Sequence, residues 1–282
     1  MYRILSKRRL NDETCEMEIE SKLIAKKAKP GQFIIFRVDD DSERIPLTIA
    51  GTDESRNAVK IIFQMVGEGT LKLGELEVGD EILDFVGPLG KPSHLDAYAG
   101  KRVAVIGGGL GAAIAYPQAT YLHKIGAKVD MIVGFRNKDI IILEEEMRAN
   151  SDRLFIITDD GSNGRKGFVT NVLQELLEAG ERYDLVIAVG PLVMMRAVAD
   201  LTRPYDIPTL VSMNTIMIDG TGMCGGCRVT VGGETKFACV DGPDFDGHQV
   251  DFEEAIRRSG LFKKQEQEAK ESHICRLTGG KR

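Results

Sequence analysis

The sequence predicts a small β-barrel, then a parallel α/β sheet, then a shorter C-terminal segment of different composition. Three observations support this order. Short β-rich runs separated by turn residues fill residues 1–98, strands alternate with helical stretches over residues 99–212, and glycine and cysteine are concentrated early in residues 213–282. These are the predicted boundaries of the three regions.

The first region is predicted to be the barrel. Residues 33–38 and 59–63 are rich in β-branched and aromatic side chains and are bounded by Gly, Asp and Ser. Residues 71–79 indicate a short amphipathic helix that ends at a glycine, and residues 81–86 indicate another strand. Several short strands at close spacing favour a small barrel.

The second region has the alternation of a parallel sheet with helices on both faces. Its predicted strands are 101–106, 128–134, 154–158 and 185–189, and its clearest predicted helices are an Ala-rich stretch after Gly111, 144–150 and 169–179. Pro117 predicts a break or kink in the first of these helices. Residues 251–277 carry charge at helical spacing and predict one surface helix, whereas residues 278–282 give no structural prediction.

Composition excludes several classes of protein. The chain has 282 residues, 37 basic and 43 acidic, with a net charge of −6 and no basic stripe, so a nucleic-acid partner is not expected. The N-terminus lacks a signal-peptide pattern, and no apolar run approaches the roughly 20 residues of a membrane span. Three of the five cysteines fall within 16 residues, which favours a metal site in a reducing compartment. The predicted location is therefore cytoplasmic.

The strongest chemical signal is Cys224-Gly-Gly-Cys227 followed by Cys239. The plant-type [2Fe–2S] pattern is C-x4-C-x2-C…C, and the position of its first cysteine is here occupied by Asp219. Glycines around these residues allow the loop to wrap a cluster. In the alternative interpretation, Asp219 is a turn residue and the cysteines are inert or bind zinc with His248.

Gly107-x-Gly109-x-x-Ala112 follows a strand and begins a helix, which is the context of a dinucleotide-binding turn. No acidic residue follows the next strand to bind a ribose, and Asp130 lies at that strand's beginning. Arg136 could meet a 2′-phosphate, so the choice between NAD and NADP stays open. A tight turn without a ligand remains the alternative for the glycines, as does helix packing for Met194.

Arg44-Ile-Pro-Leu-Thr48 follows a predicted barrel strand, and Gly67-Glu-Gly69-Thr70 begins a helix. An arginine can pair with pyrophosphate, a hydroxyl can bond a ring nitrogen, and backbone N–H groups at a helix start can hold phosphate. Alternatively, Arg44 offsets the acidic residues 39–41.

Taken in this order, the motifs resemble the ferredoxin–NADP reductase superfamily. More narrowly, the chain looks like the branch that holds the electron-transfer subunit of dihydroorotate dehydrogenase and the small subunit of NADH-dependent reduced ferredoxin:NADP oxidoreductase. The resemblance covers residues 1–277 and is carried by RIPLTIA (44–50), GEGT (67–70), GPLGKP (87–92), IGGGLGAAIAYPQA (106–119), VGFRNKDIIILEEEM (133–147), TDDGSNGRKGFVT (158–170) and GPLVMMRAV (190–198).

The resemblance implies a ferredoxin–NADP reductase-like fold with FAD on the barrel, NAD(H) on the α/β domain and a C-terminal [2Fe–2S] cluster. The implied FAD residues are Arg44, Ile45, Pro46, Leu47, Thr48, Gln64, Gly67, Gly69 and Thr70, with Thr48 as the catalytic residue that tunes the flavin ring. The implied dinucleotide residues are Gly107, Gly108, Gly109, Leu110, Gly111, Gly190 and Met194. The implied cluster ligands are Asp219, Cys224, Cys227 and Cys239, and Cys15 and Cys275 are left as plain thiols.

The resemblance also implies an oxidoreductase subunit with an obligate partner. Asp219 and the extension beyond Cys239 are similar to the ferredoxin:NADP oxidoreductase branch, in which the partner is a larger flavoprotein with [4Fe–4S] clusters. That heterodimer would bind NADP(H) and ferredoxin and perform electron bifurcation. Dihydroorotate oxidation is the nearest alternative, and a zinc-binding regulator is an alternative of another class.

Overall fold

The computed structural model describes residues 1–277 and contains a seven-stranded antiparallel barrel. Its strands follow the order β6-β1-β2-β5-β4-β3-β7, and the single residue Leu83 separates the two outermost strands along the chain. The strands are β1 (Tyr2–Arg9), β2 (Thr14–Glu20), β3 (Phe33–Arg37), β4 (Ile45–Asp53), β5 (Ala58–Gln64), β6 (Glu81–Ile82) and β7 (Asp84–Leu89). The helices are α1 (Lys22–Lys27) and α2 (Glu68–Glu75).

The helix predicted at 71–79 is thus found three residues earlier. Thr70 explains the difference, because its hydroxyl accepts hydrogen bonds from the backbone N–H groups of Val66 and Gly67 at 3.1 Å each. This side chain caps the helix from its third position. The prediction missed this local bond.

The second sheet has six strands in the order β10-β9-β8-β11-β12-β15, of which the first five are parallel. They are β8 (Arg102–Gly108), β9 (Lys128–Phe135), β10 (Arg153–Thr158), β11 (Leu185–Val189), β12 (Thr209–Ser212) and β15 (Asp244–Asp246). The connecting helices are α3 (Gly111–Lys124), α4 (Glu144–Ala149), α5 (Val169–Glu178) and α6 (Leu192–Thr202).

Both faces of this sheet are buried, as the sequence predicts. On β8, Val103 and Val105 pack with α3, whereas Ala104 and Ile106 pack with α5 and α6. The predicted break at Pro117 is wrong, because α3 continues through it to Lys124. Buried alanines on both sides of Pro117 hold this helix against the sheet and compensate for the lost backbone bond.

The C-terminal region is joined to the second sheet. Its strand β15 pairs antiparallel with β12, and β13 (Arg228–Val231) forms a hairpin with β14 (Glu234–Phe237). The predicted single helix at 251–277 is two helices, α7 (Phe252–Ser259) and α8 (Lys263–Leu277), because the chain turns near Gly260. The uninterpreted residues 278–282 lie outside the described part of the chain. No helix within residues 1–277 is both long and apolar enough to span a bilayer.

Candidate cofactor site

One large cavity connects the three regions. Its volume is about 2010 Å³, which exceeds the roughly 300–1,000 Å³ of a site for one small ligand. It is lined by the predicted residues Arg44, Ile45, Pro46, Leu47, Thr48, Gln64, Gly67, Gly69, Thr70, Gly108, Gly109, Leu110, Gly111, Gly190 and Met194. The fold therefore brings the predicted flavin and dinucleotide residues to one space.

The barrel wall of this cavity consists of β4 and the start of α2. The backbone of α2 approaches β4 so closely that a Cβ at Gly69 would lie 2.5 Å from Ile45 Cδ1. Since Thr70 already caps Val66 and Gly67, the next backbone N–H groups of the first turn are left for a ligand. This cradle fits the phosphates of FAD.

Two predicted flavin residues also hold protein partners. Arg44 Nε donates to the carbonyl oxygen of Ile218 at 2.8 Å, and its Nη1 lies 3.5 Å from Asp84 Oδ2. Gln64 Nε2 donates to Glu13 Oε2 at 2.7 Å. Arg44 therefore links the barrel to the segment just before Asp219, which the sequence did not predict.

The dinucleotide wall is the turn between β8 and α3. Gly109 has a φ of 57°, and a Cβ at Gly111 would lie 2.2 Å from the carbonyl oxygen of Val189. Gly107 is buried under this turn, where a Cβ would lie 2.5 Å from Ala112 Cα. The glycines thus let strand, turn and helix approach closely and leave the backbone of residues 108–111 facing the cavity.

Two aspartates are candidates to bind the ribose of the dinucleotide, and their places in the sheet distinguish them. Asp130 is buried near the opposite end of the sheet, where Arg153 and Tyr183 donate to its Oδ2 at 2.6 and 2.7 Å. In contrast, Asp159 follows β10 directly and lines the cavity beside Arg136. The sequence analysis considered an acid only at the end of β9. Asp159 was missed because it follows β10, which pairs in parallel with β9 and so ends at the same edge of the sheet.

The four predicted cluster ligands form two close pairs. Cys227 Sγ lies 3.2 Å from Cys239 Sγ, and Cys224 Sγ lies 3.3 Å from Asp219 Oδ1. The first pair is buried in the core, whereas Cys224 is exposed on the loop. Two pairs, one for each iron, fit a two-iron cluster. Among the described residues, no group of three His, Cys, Asp or Glu side chains is arranged for a single metal ion.

Electrostatics distinguish the two pairs. Burial opposes ionisation of Asp219, but hydrogen bonds from Cys224, Thr221 and the Met223 N–H outweigh it and lower the carboxyl pKa to about 2. Burial, reinforced by Cys227, raises the pKa of Cys239 to about 12. The Asp219 carboxylate is therefore already anionic, whereas the buried thiols would have to lose protons to bind a metal.

The alternative zinc site lacks its fourth ligand. His248 Nε2 lies 3.0 Å from Thr202 Oγ1, on the side of α6, and its backbone carbonyl accepts from Arg203. Within the described chain it is not among the partners of the cysteines. The donor set at the loop is thus three thiols and one carboxylate, which fits the [2Fe–2S] interpretation.

Two arginines lie between the cavity and the cluster loop. Arg258 of α7 donates to the carbonyl oxygen of Gly226 at 3.1 Å, and Arg228 donates to that of Gly225 at 3.2 Å. Both side chains belong to the cavity lining, and neither pairs with a carboxylate of the described residues. Sequence reasoning had no signal for Arg258, since α7 was predicted only as part of a surface helix.

Comparisons with known proteins agree with this geometry. Residues 214–251 match the iron–sulfur cluster binding domain of dihydroorotate dehydrogenase B. The chain is 42% identical to the homologue of the dihydroorotate dehydrogenase B electron transfer subunit from Thermotoga maritima, over 93% of this chain and 92% of the other. It is 34% identical to the electron transfer subunit from Bacillus caldolyticus, over 88% and 96%.

A solved structure is also similar over nearly its whole length. It is described as the NADH-dependent reduced ferredoxin–NADP oxidoreductase, studied for flavin-based electron bifurcation. The match has a TM-score of 0.91 and 40% identity, and it covers 97% of this chain and 98% of the other. The predicted fold class is confirmed, and the predicted FAD and [2Fe–2S] cofactors are confirmed at the level of fold and cluster-binding segment.

Proposed function

Because this chain belongs to the family of dihydroorotate dehydrogenase B electron-transfer subunits and their homologues, we propose that it exchanges a hydride with NAD(H) and passes single electrons to a larger partner. The partner would be a flavin and [4Fe–4S] subunit that binds NADP(H), with ferredoxin as a further reactant. The heterodimer would then be an electron-bifurcating NADH-dependent reduced ferredoxin:NADP oxidoreductase.

The single observation that carries the proposal is the shared cavity. The barrel residue Thr48, the dinucleotide turn at Gly109 and the cluster-loop residue Gly226 all line it. When bound there, FAD accepts an electron pair from nicotinamide and gives up electrons singly, which a [2Fe–2S] cluster carries one at a time. The chain needs to supply position and electrostatics rather than a general base.

Three parts of the cavity wall would bind the FAD, the dinucleotide and the cluster, respectively. The first turn of α2, with Arg44, would hold the pyrophosphate of FAD, and Thr48 would orient the flavin ring. The turn at residues 108–111, with Gly190 and Met194, would place the nicotinamide dinucleotide against that ring. Asp219, Cys224, Cys227 and Cys239 would hold the cluster at the end of the cavity, where Cys224 and Met223 are exposed toward a partner.

Two observations favour the ferredoxin:NADP role over dihydroorotate oxidation. A carboxylate, Asp219, lies against Cys224 where the dihydroorotate-type subunits are expected to carry a cysteine. The similarity to the bifurcating enzyme includes 97% of this chain, whereas that to the Bacillus subunit covers 88% of this chain and 96% of the shorter relative.

The test is anaerobic purification of the native complex, followed by mass spectrometry of the co-eluting subunit and two assays. We expect NADP reduction that requires both NADH and reduced ferredoxin, and no oxidation of dihydroorotate. Turnover of dihydroorotate, with a dihydroorotate dehydrogenase as the co-eluting subunit, would support the second candidate instead. A zinc-containing protein without flavin or iron would contradict both.

A further inference from the structure

One wall of the cavity is formed by a helix outside all the predicted cofactor residues. The residues of α8 that line the cavity are Lys263, Gln265, Glu266, Gln267, Ala269 and Lys270. They belong to the C-terminal region, yet they face a cavity whose other walls are the barrel and the dinucleotide turn. The helix therefore crosses from the cluster end of the molecule toward the flavin end.

Among the α8 residues whose burial the structure describes, the buried and half-buried ones lie on one face. Ala269 and Lys270 are half-buried and His273 is buried, whereas Lys263 to Glu268 are exposed. Residues 269, 270 and 273 share one side of a helix, because positions three and four apart lie above each other. This side contacts the barrel at α2.

One pair of side chains forms a polar contact between α8 and α2. His273 Nε2 lies 3.0 Å from Glu75 Oε1, and the His273 side chain is only 7% exposed. Glu75 is the last residue of α2, and the first turn of this same helix forms the proposed phosphate cradle. The His273–Glu75 pair thus ties α8 to the element that would hold FAD.

The cavity-lining part of α8 offers few apolar side chains to hold it against the barrel. From residue 263 to residue 273, Ala269 is the only apolar residue. This part of the helix, before Ile274, has no apolar stripe to bury, so local contacts hold it in place. Its cavity side also carries Lys263 and Lys270, and neither ammonium has a carboxylate within ion-pair distance among residues 1–277. Two such cations suit an anionic pyrophosphate.

We propose that α8 is a strap that closes the FAD part of the cavity and slows the release of FAD. The His273–Glu75 pair is its fastening, and Lys263 and Lys270 face the bound phosphates. This inference rests on the proposed FAD site and adds the part of the chain that retains the cofactor there.

The experiment measures FAD release from the full-length FAD-loaded protein within its native complex. The rise in flavin fluorescence after dilution gives the rate. The variants are His273→Ala, Glu75→Gln, their double variant, and a chain ending at Gly260. The matched control is Lys264→Ala, on the same helix but 87% exposed and paired only within α8. Far-UV circular dichroism and the visible absorbance of the cluster establish that each variant is folded.

We expect release about fivefold faster in His273→Ala and in Glu75→Gln, the loss typical of one hydrogen bond. The double variant should be no faster than either single variant, the shortened chain should be faster still, and Lys264→Ala should match the wild type. Unchanged release in both His273→Ala and the shortened chain would overturn the strap. A wild-type chain that binds no FAD would instead contradict the proposed function.

Discussion

The guanidinium of Arg44 donates from Nε to the backbone carbonyl of Ile218 over 2.8 Å. This bond joins the barrel strand that would carry the flavin to the residue that precedes Asp219, a proposed cluster ligand. A flavin bound at β4 and a cluster bound at this loop would therefore be held at a fixed separation by a side chain that also lines the cavity.

Arg44→Gln should weaken FAD binding and disturb the cluster together. Loss of a charge-assisted bond to phosphate costs about 1.5–3 kcal/mol, so the dissociation constant of FAD should rise roughly tenfold or more. We would measure it by titrating the apoprotein with FAD and following flavin fluorescence. Arg56→Gln, a surface arginine paired with Glu18 on the barrel, is the control. Equal affinities in the two variants would contradict a role of Arg44 in FAD binding.

Asp159→Ala should weaken the preference for NADH. If the carboxylate binds the ribose hydroxyls, its loss should raise the KM for NADH about tenfold with little change in kcat, since the bond is present in the ground state. The KM for NADPH should fall, because a repulsive charge beside Arg136 is removed. Steady-state dye reduction with each nucleotide gives these values. Asp160→Ala, whose carboxylate accepts from the Ser162 N–H in the adjoining turn, should leave them unchanged.

Arg258→Gln should lower the reduction potential of the cluster. The reduced cluster carries one more negative charge, and the guanidinium at Gly226 stabilises it. We expect a decrease of about 30–60 mV, which is roughly a threefold to tenfold shift in a one-electron equilibrium. Redox titration followed by EPR measures it. Arg258→Lys should keep the reduction potential close to the wild-type value. Arg257→Gln, at an exposed position on the same helix, is the control for net charge. A potential that is the same in all three variants would be inconsistent with this role.

Asp244→Asn should change how stability depends on pH. Burial raises the pKa of Asp244, although Ser93 and Gln118 donate to its Oδ2 at 2.5 and 2.8 Å. An acid with a raised pKa stabilises the fold below its unfolded pKa of about 3.9, and this contribution is lost as pH rises through the folded value. The variant should therefore gain stability over the wild type as pH rises above about 3.9, until Asp244 is ionised in the folded wild type.

Urea unfolding midpoints at several pH values test this prediction. Asp12→Asn, on an exposed barrel turn, should follow the wild type across the same range. A difference between Asp244→Asn and the wild type that does not grow as pH rises above about 3.9 would contradict a raised pKa for Asp244.

Much of this architecture could be predicted from local patterns. Four of the five parallel strands, β8 to β11, are continuous apolar runs, so their predicted bounds agree with the structure within two residues, whereas β12 was not predicted. The spacing of Asp219, Cys224 and Cys227 also predicts that these side chains share one loop, whereas the pairing of Cys227 with Cys239 depends on the fold.

Other features depend on contacts that no local pattern contains. Asp159 reaches the cavity only because β10 pairs with β9. The wall formed by residues 263–270 of α8 could not be predicted, because a polar helical segment without an apolar stripe gives no sign of the surface it covers. Pro117 lies within a helix because packing of α3 outweighs its local preference.

Electron flow from NADH through FAD to the cluster is tested by anaerobic reduction of the purified native complex with NADH, followed by visible and EPR spectroscopy of the wild type and of Asp219→Ala. We expect loss of flavin absorbance together with a reduced [2Fe–2S] signal in the wild type. In Asp219→Ala the flavin should still be reduced, while the cluster's content or spectrum is altered. An unchanged cluster in Asp219→Ala would refute Asp219 as a ligand, and a wild type without flavin bleaching and without a cluster signal would refute this electron path.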